Sequence, residues 1–249
     1  MKSILVVLFT AFLAIAYPTQ KKIKIWLIGD STISIKERKA YPETGWGMPF
    51  AHFFDSTVQV ENHAKNGRST RTFLEENRWQ PIFDNLASGD YVLIQFGHND
   101  ESKEKTDRYT NPEDYKKNLT RFVRESRLKG ATPILLTPVS RRKFKNGEAQ
   151  ETHAEYAPLV FEIAKQESVP LIDLNKLSRE LYQQMGEENS KLLFLQLQPG
   201  EHPNYPEGKN DNTHFNELGA RKIAQIVLAE MRKLEAPIDE RVVRPVTKK

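Results

Sequence analysis

Ile25-Trp26-Leu27-Ile28 leads directly into the polar cluster Gly29-Asp30-Ser31-Thr32. Farther along the chain, the apolar run Tyr91-Val92-Leu93-Ile94 is followed in a similar way by Gly97-His98-Asn99-Asp100. Short apolar runs bounded by turn residues are typical of buried strands. Open parallel sheets bind their ligands outside the carboxyl ends of the strands, and both polar clusters follow such ends. The two stretches therefore predict an α/β fold with a functional site at this edge of the sheet.

Similar apolar runs alternate with helical patterns along the rest of the chain. We predict strands over residues 23–28, 58–60, 91–95, 133–136 and 169–172. The clearest helix begins at Asn111-Pro112-Glu113-Asp114, where an N-cap residue precedes proline and two acids, and it ends at Gly130. Further helices are predicted over residues 151–166, 175–185 and 216–234. This alternation indicates a parallel sheet covered on both faces, in a single domain over residues 17–249 with a surface tail over 236–249.

The first sixteen residues have the features of a cleavable signal peptide. Met1-Lys2-Ser3 is basic, residues 4–14 are apolar, and Ala14-Ile15-Ala16 matches the small-x-small cleavage rule. The apolar run is shorter than the ~20 residues that a membrane span needs, although a retained anchor is the alternative. We therefore expect a periplasmic or secreted protein that begins at Tyr17 and has no membrane partner after cleavage.

The composition excludes several classes of function. The chain has 249 residues and no cysteine, which excludes disulfides, a thiolate nucleophile and thiolate metal sites. Its formal net charge of +4, with 28% charged residues, gives no reason to expect a nucleic-acid partner. Five arginines that flank the polar clusters either belong to a solvated surface or attract an acidic substrate: Arg68, Arg71, Arg78, Arg141 and Arg142.

Two more polar clusters complete a candidate hydrolase site, namely Asn66-Gly67-Arg68-Ser69 and Asp211-Asn212-Thr213-His214. Ser31 is the candidate nucleophile, because a base can activate its hydroxyl. His214 is the candidate base, since imidazole titrates near neutral pH, and Asp211 can fix its tautomer from three residues earlier. The fourth cluster is expected on a loop that precedes the last helix.

Hydrolysis of an ester also requires donors for the oxyanion that forms in the transition state. The candidates are the backbone N–H groups of Ser31 and Gly67 and the side-chain amide of Asn99. Each cluster alone is a weak signal, because Gly-Asp-Ser is usually a turn and Asp-x-x-His is more often a loop or a metal pair. Their joint occurrence at the ends of strands predicts a serine hydrolase.

A metal site and a non-catalytic function are less well supported. The histidines 63, 98, 202 and 214 include no His-x-x-x-His pair and have no compact carboxylate cluster beside them, so we predict no metal and no cofactor. Trp46, between two glycines and close behind Ser31, is predicted to contact substrate, whereas Trp79 is better placed in the core. A carbohydrate-binding protein without activity is the non-enzyme alternative, and the intact Ser31, Asp211 and His214 argue against it.

With these four clusters the chain resembles the SGNH, or GDSL, hydrolase family, whose sequence blocks supply Ser, Gly, Asn and His. Ser31, Gly67, Asn99 and His214 match the four blocks, with Asp211 as the third member of the triad. The resemblance implies a three-layer α/β/α sandwich with a central parallel sheet, related in layout to flavodoxin.

Within that family the chain is most similar to the rhamnogalacturonan acetylesterases, through residues 45–47, 66–73, 97–100 and 211–215. This resemblance implies an acetylated acidic polysaccharide as the substrate, with four candidate contacts: Trp46, Arg68, Arg71 and His98. The chain departs from some fungal members in having no cysteine, and its Pro- and Gly-rich segment 198–210 has no assigned role. Acetylated xylan, another glycan, a lipid or a thioester are the alternative substrates. The polar, Arg-rich surroundings of the clusters favour a small acyl group on a charged sugar.

Overall fold

The computed structural model describes residues 22–234 and 238–243, and the predicted signal peptide lies outside them. The strands are β1 (Ile23–Gly29), β2 (Val58–Asn62), β3 (Tyr91–Gln95), β4 (Thr132–Leu136), β5 (Phe144–Lys145), β6 (Glu148–Ala149), β7 (Leu171–Ile172), β8 (Phe194–Leu197) and β9 (Lys209–Phe215). The α-helices are α1 (Gly47–Phe50), α2 (Thr70–Glu75), α3 (Gln80–Asn85), α4 (Pro112–Leu128), α5 (Ala157–Gln166), α6 (Leu174–Asn189, interrupted at Gly186) and α7 (Glu217–Lys233). Short 3₁₀ helices lie at Arg38–Ala40, Ala51–Phe53, Ser190–Leu193 and Asp239–Arg241.

Five strands form a parallel sheet in the order β2-β1-β3-β4-β7. This is the flavodoxin-like order, in which the direction of winding reverses between β1 and β3. The carboxyl ends of these two strands lie side by side, with Gly29 opposite Gln95. The predicted α/β sandwich around a central parallel sheet is confirmed, and the reversal point coincides with the two polar clusters.

Side chains of the central strands alternate between two cores, one on each face of the sheet. Ile25 and Leu27 pack into the core that α1, α6 and α7 cover, whereas Trp26 and Ile28 pack into the core covered by α2 to α5. A strand buried on both faces has a continuous apolar sequence, which is why residues 25–28 mark β1 so clearly. Among the described residues, no helix combines the length and hydropathy needed to cross a bilayer.

The best-defined helix of the sequence, α4, begins and ends where its capping residues predict. The Asn111 side chain accepts a hydrogen bond from the backbone N–H of Asp114 at 2.9 Å, and Pro112 occupies the first helical position. Its buried face carries Tyr115, Leu119 and Phe122. The cap and the apolar stripe together fix the helix against the sheet.

Two predictions differ from the structure by more than a one- or two-residue shift of a strand or helix end. The helix expected from Glu151 begins only at Ala157, because the Glu151 carboxylate accepts the backbone N–H groups of Thr152 and His153 in a turn. The surface tail expected over 236–249 does not apply to residues 238–243. Ile238 is fully buried in the core beside α7, and Val242 forms a β-bridge with Phe54.

Candidate active site

A tight turn at the end of β1 presents Ser31. The Asp30 carboxylate accepts hydrogen bonds from the backbone N–H of Thr32 at 2.9 Å and from its hydroxyl at 2.8 Å. The turn closes when the backbone N–H of Ser34 donates to the carbonyl of Asp30 at 3.2 Å. Asp30 is therefore buried and shapes the turn, while Ser31 lines an open cleft of about 640 Å³.

Ser31, His214 and Asp211 form one hydrogen-bonded chain. The distance from Ser31 Oγ to His214 Nε2 is 2.9 Å, and that from His214 Nδ1 to Asp211 Oδ2 is 2.8 Å. A carboxylate only accepts hydrogen bonds, so Nδ1 carries the proton and Nε2 is free to accept the Ser31 hydroxyl proton. This is the arrangement that a serine nucleophile, a base and an orienting acid require.

The Asp211 carboxylate is held ionised by its surroundings. Burial alone would raise its pKa, but hydrogen bonds from His214 and from the backbone N–H groups of Thr213 and His214 hold the pKa well below its usual range. Asp211 thus supplies the full negative charge that stabilises an imidazolium on His214.

The cluster that contains His214 lies on strand β9, in a hairpin with β8, and not on the loop that the sequence predicts. The register of this hairpin shifts sharply: Phe194 pairs with Phe215, while the next residue, Leu195, pairs with Asp211. Residues 212–214 therefore bulge out of the ladder, and the Asp211 carboxylate stabilises the bulge by accepting two of its N–H groups. The bulge allows Asp211 and His214 to face each other, which a regular strand would prevent.

The candidate oxyanion donors line the same cleft as Ser31. Gly67 lies between β2 and α2 with a φ of +75°, a conformation that favours glycine. Asn99 follows β3, and its amide nitrogen donates to the carbonyl of Arg68 at 3.0 Å. This contact joins the Asn99 segment to the Gly67 segment and orients the amide, whose nitrogen carries a second N–H.

His98, predicted to contact substrate, also lines the cleft, although it is 5% exposed. Neither of its ring nitrogens has a hydrogen-bond partner within the described part of the chain. Burial, together with His153 and Arg141 nearby, holds the pKa of His98 well below its usual value, so the ring is neutral. A neutral imidazole with one N–H and one acceptor nitrogen can bind a sugar hydroxyl.

The two arginines predicted to contact substrate, Arg68 and Arg71, differ in whether they reach the cleft. Arg68 lines the cleft and pairs with Glu76 at 2.8 Å. Arg71 does not line it, because its guanidinium pairs with Glu75 and donates to the carbonyl of Tyr109.

Trp46 is fully buried, and its indole N–H donates to Gln95 Oε1 at 2.9 Å. The prediction that Trp46 contacts substrate is therefore wrong. The glycines beside it mark close packing, since a Cβ at Gly45 would lie 2.1 Å from the carbonyl oxygen of Ser34.

Several polar residues of the site were not predicted. Lys105, Arg108 and Glu43 line the cleft. Arg141 was noted only as a flanking residue, but it donates to Thr213 Oγ1 and pairs with Glu101, so it links the His214 strand to the Asn99 loop. Among the described residues, no group of three or more His, Cys, Asp and Glu side chains could hold a metal ion.

The chain is similar to known proteins in both sequence and structure. Residues 27–222 match the GDSL-like Lipase/Acylhydrolase family. The chain is 43% identical over 225 residues to the rhamnogalacturonan acetylesterase RhgT of Bacillus subtilis strain 168, covering 90% of this chain and 96% of the relative. It is 36% identical over 221 residues to the probable rhamnogalacturonan acetylesterase YesY of the same strain, covering 88% and 97%. The crystal structure of YxiM from Bacillus subtilis is similar with a TM-score of 0.74 and 26% identity, covering 88% of this chain and 58% of that one.

Proposed function

Because the chain belongs to the GDSL-like Lipase/Acylhydrolase family and is a carboxylic ester hydrolase, we propose that it removes acetyl groups from rhamnogalacturonan, an acidic plant cell-wall polysaccharide. The main structural support for this proposal is the 2.9 Å contact between Ser31 Oγ and His214 Nε2 in an open polar cleft. The substrate is proposed from the two Bacillus subtilis relatives, each aligned with this chain over nearly its own full length.

In the proposed reaction, His214 Nε2 takes the hydroxyl proton of Ser31 as Oγ attacks the acetyl carbonyl carbon. The resulting oxyanion accepts hydrogen bonds from the N–H groups of Ser31, Gly67 and the Asn99 side chain. The C–O bond to the sugar then breaks, and His214 gives its proton to the sugar oxygen that leaves. A water molecule, deprotonated in turn by His214, hydrolyses the acetyl-enzyme and releases acetate. Asp211 stabilises the imidazolium in both steps.

The cleft suits a small acyl group on a polar sugar better than a lipid chain. Apart from Gly67, every residue that lines it is polar or charged. A long acyl chain requires an apolar groove, and none of these side chains supplies one. Lys105 and Asp107 both line the cleft, and Asp107 pairs with Arg108. Lys105 itself forms no ion pair among the described residues, so its ammonium group can bind a galacturonate carboxylate.

The decisive experiment measures acetate release from acetylated rhamnogalacturonan and from acetylated xylan in parallel. We expect release from the pectic polymer, and in Ser31→Ala we expect it to fall by about 10⁴-fold or more, as loss of a triad nucleophile does in other hydrolases. Release from xylan alone would overturn the substrate assignment, and undiminished activity of Ser31→Ala would overturn the serine mechanism.

A further inference from the structure

A second cleft, of about 750 Å³, adjoins the first, because Glu43 lines both. Four parts of the chain form it: the irregular segment that follows Ser31, residues 48–52 in and after α1, the segment around His202, and the start of α7 with Glu217 and Arg221. Nothing in the proposed acetyl transfer uses this second cleft.

The Pro- and Gly-rich segment 198–210 supplies one wall of the second cleft, through His202, Pro203 and Asn204. The Asn204 amide donates to the carbonyls of Arg38 at 3.1 Å and Tyr41 at 2.8 Å. The Tyr205 hydroxyl donates to the carbonyl of Ala40 at 2.8 Å. These three hydrogen bonds fix the segment against residues 38–41, so the wall of the second cleft has a defined position.

In the second cleft the carboxylates have hydrogen-bond or ion-pair partners, whereas two arginines have no ion-pair partner. Each of its carboxylates has a donor: Glu37 pairs with Lys39, Glu43 pairs with Lys36, and Glu217 accepts the Tyr41 hydroxyl. The guanidinium groups of Arg38 and Arg221, both exposed, form no ion pair within residues 22–234 and 238–243. An arginine without a partner is the side chain best suited to bind a carboxylate, which it can hold with two parallel hydrogen bonds.

The second cleft also offers aromatic surface. Tyr41 is 47% exposed, and its ring centroid lies 5.4 Å from that of His202. Exposed rings of this kind provide a flat surface against which the apolar face of a sugar ring can pack.

From these observations we propose that the second cleft is a subsite for a uronate residue of the polysaccharide chain whose acetyl ester lies in the first cleft. Arg38 and Arg221 bind the uronate carboxylate, and Tyr41 packs against the sugar ring. The inference rests on the proposed function for its choice of polymer. The segment 198–210 thereby acquires a role as the outer wall of a polymer-binding groove.

The test uses rhamnogalacturonan oligosaccharides without acetyl groups, which carry no ester and therefore cannot react. Isothermal titration calorimetry compares the unmodified protein, the double variant Arg38→Gln/Arg221→Gln, and Lys222→Gln. Lys222 is the matched control, because it follows Arg221 on α7, is exposed and does not line the cleft. The double variant loses two exposed ion pairs to the uronate carboxylate, so we expect its Kd to rise about 5-fold, whereas the Kd of Lys222→Gln stays unchanged.

Several outcomes would overturn the subsite: an unchanged Kd in the double variant, an equal loss of affinity in Lys222→Gln, or no binding by the unmodified protein. Thermal unfolding confirms that each variant is folded. Because the probe carries no ester, this result is independent of whether the enzyme releases acetate from the acetylated polymer.

Discussion

Lys36 is a buried cation directly behind the candidate nucleophile. Its ammonium group donates to the carbonyl of Ser31 at 2.5 Å and to Asn66 Oδ1 at 2.8 Å, and it pairs with Glu43 at 2.7 Å. The Ser34 hydroxyl also donates to Asn66 Oδ1. Burial lowers the pKa of Lys36, and the Glu43 carboxylate opposes this effect. Lys36 thus joins the Ser31 turn to the segment that carries Gly67, and we interpret it as a positioning residue.

We predict that Lys36→Met lowers kcat on a small acetate ester by about 10- to 100-fold, because the serine turn and the Gly67 loop lose their common donor. Breaking a buried ion pair also costs stability, about 3–5 kcal/mol, since Glu43 is left without its partner. Urea unfolding and steady-state kinetics measure the two effects separately.

The double variant Lys36→Met/Glu43→Gln distinguishes positioning from simple support of the fold. Removing both charges should restore most of the lost stability, whereas kcat should remain low because Ser31 and Asn66 still lack the ammonium donor. Recovery of kcat together with stability would show that Lys36 acts only on the fold.

Residues whose role follows from a short local motif could be predicted from the sequence, and residues whose role depends on packing could not. Ser31, Gly67, Asn99, Asp211 and His214 each belong to a compact polar cluster, and the structure brings all of them to one cleft. Lys36 and Glu43 pair across irregular chain, and no periodicity marks such a pair. The prediction for Trp46 was wrong because a tryptophan between two glycines is typical of an exposed loop. Here the glycines instead allow neighbouring backbone to pack closely against this segment.

At the scale of elements, helix α7 has to begin immediately after the bulge that carries His214. The Asn216 side chain caps the helix by accepting the backbone N–H of Gly219 at 3.1 Å, and its amide donates to the carbonyls of Leu192 and Phe194. A Cβ at Gly219 would lie 1.9 Å from the carbonyl oxygen of Leu193. The first turn of α7 therefore packs directly on the backbone of the preceding segment.

We predict that Gly219→Ala destabilises the protein, even though alanine is the better helix former. Helix propensity favours alanine by about 1 kcal/mol. The overlap with a main-chain oxygen forces a backbone shift, for which overpacking costs of about 1–3 kcal/mol are typical and more is possible. Thermal unfolding should show a lower Tm, and a higher Tm would mean that α7 can move away freely.

Elements that carry their own capping and turn residues were predictable, and those set by tertiary contacts were not. The Asn111 cap located α4 correctly, whereas the helix start at Glu151 was wrong because a side chain closes a turn there. The short hairpin of β5 and β6 turns at Asn146 and Gly147, both with positive φ. An Asn-Gly pair of this kind is a recognised hairpin signal that could have identified it.

At the scale of the whole molecule, the sheet order explains why distant clusters converge. With β1 and β3 adjacent, the turns that follow them share one edge, and the β8–β9 hairpin brings His214 to the same place. This convergence also buries two carboxyl groups. Asp30 and Asp100, which follow β1 and β3 respectively, are both fully buried, and each has one carboxylate oxygen without a partner in the described part of the chain.

Asp100 is the clearest case of a buried carboxyl group in this convergence. Its Oδ1 accepts the backbone N–H of Thr70 at 2.8 Å and the Thr70 hydroxyl at 2.6 Å. Burial nevertheless raises the pKa of Asp100 to about 7, because these hydrogen bonds from Thr70 only partly offset the loss of hydration. In the unfolded chain an aspartate has a pKa of about 3.9.

The sign of the resulting pH dependence follows from proton binding. Between about pH 4 and pH 7 the folded protein holds a proton on Asp100 that the unfolded chain has lost, so its contribution to stability falls as the pH rises through this window. Asp100→Asn keeps the neutral shape and cannot titrate. We predict that the unfolding free energy of the unmodified protein, minus that of Asp100→Asn, declines by roughly a few kcal/mol from pH 4 to pH 7 and is level outside that range.

Urea unfolding at pH 4 to 8 measures this difference directly, and titrating groups that do not interact with Asp100 cancel in the subtraction. Asp84→Asn, which changes an exposed carboxyl on α3, is the control and should show a much smaller dependence on pH. A difference for Asp100→Asn that stays constant from pH 4 to pH 7 would mean that Asp100 is ionised in the folded protein. Burial of a protonated Asp100 at this edge of the sheet would then make no contribution to the pH dependence of stability.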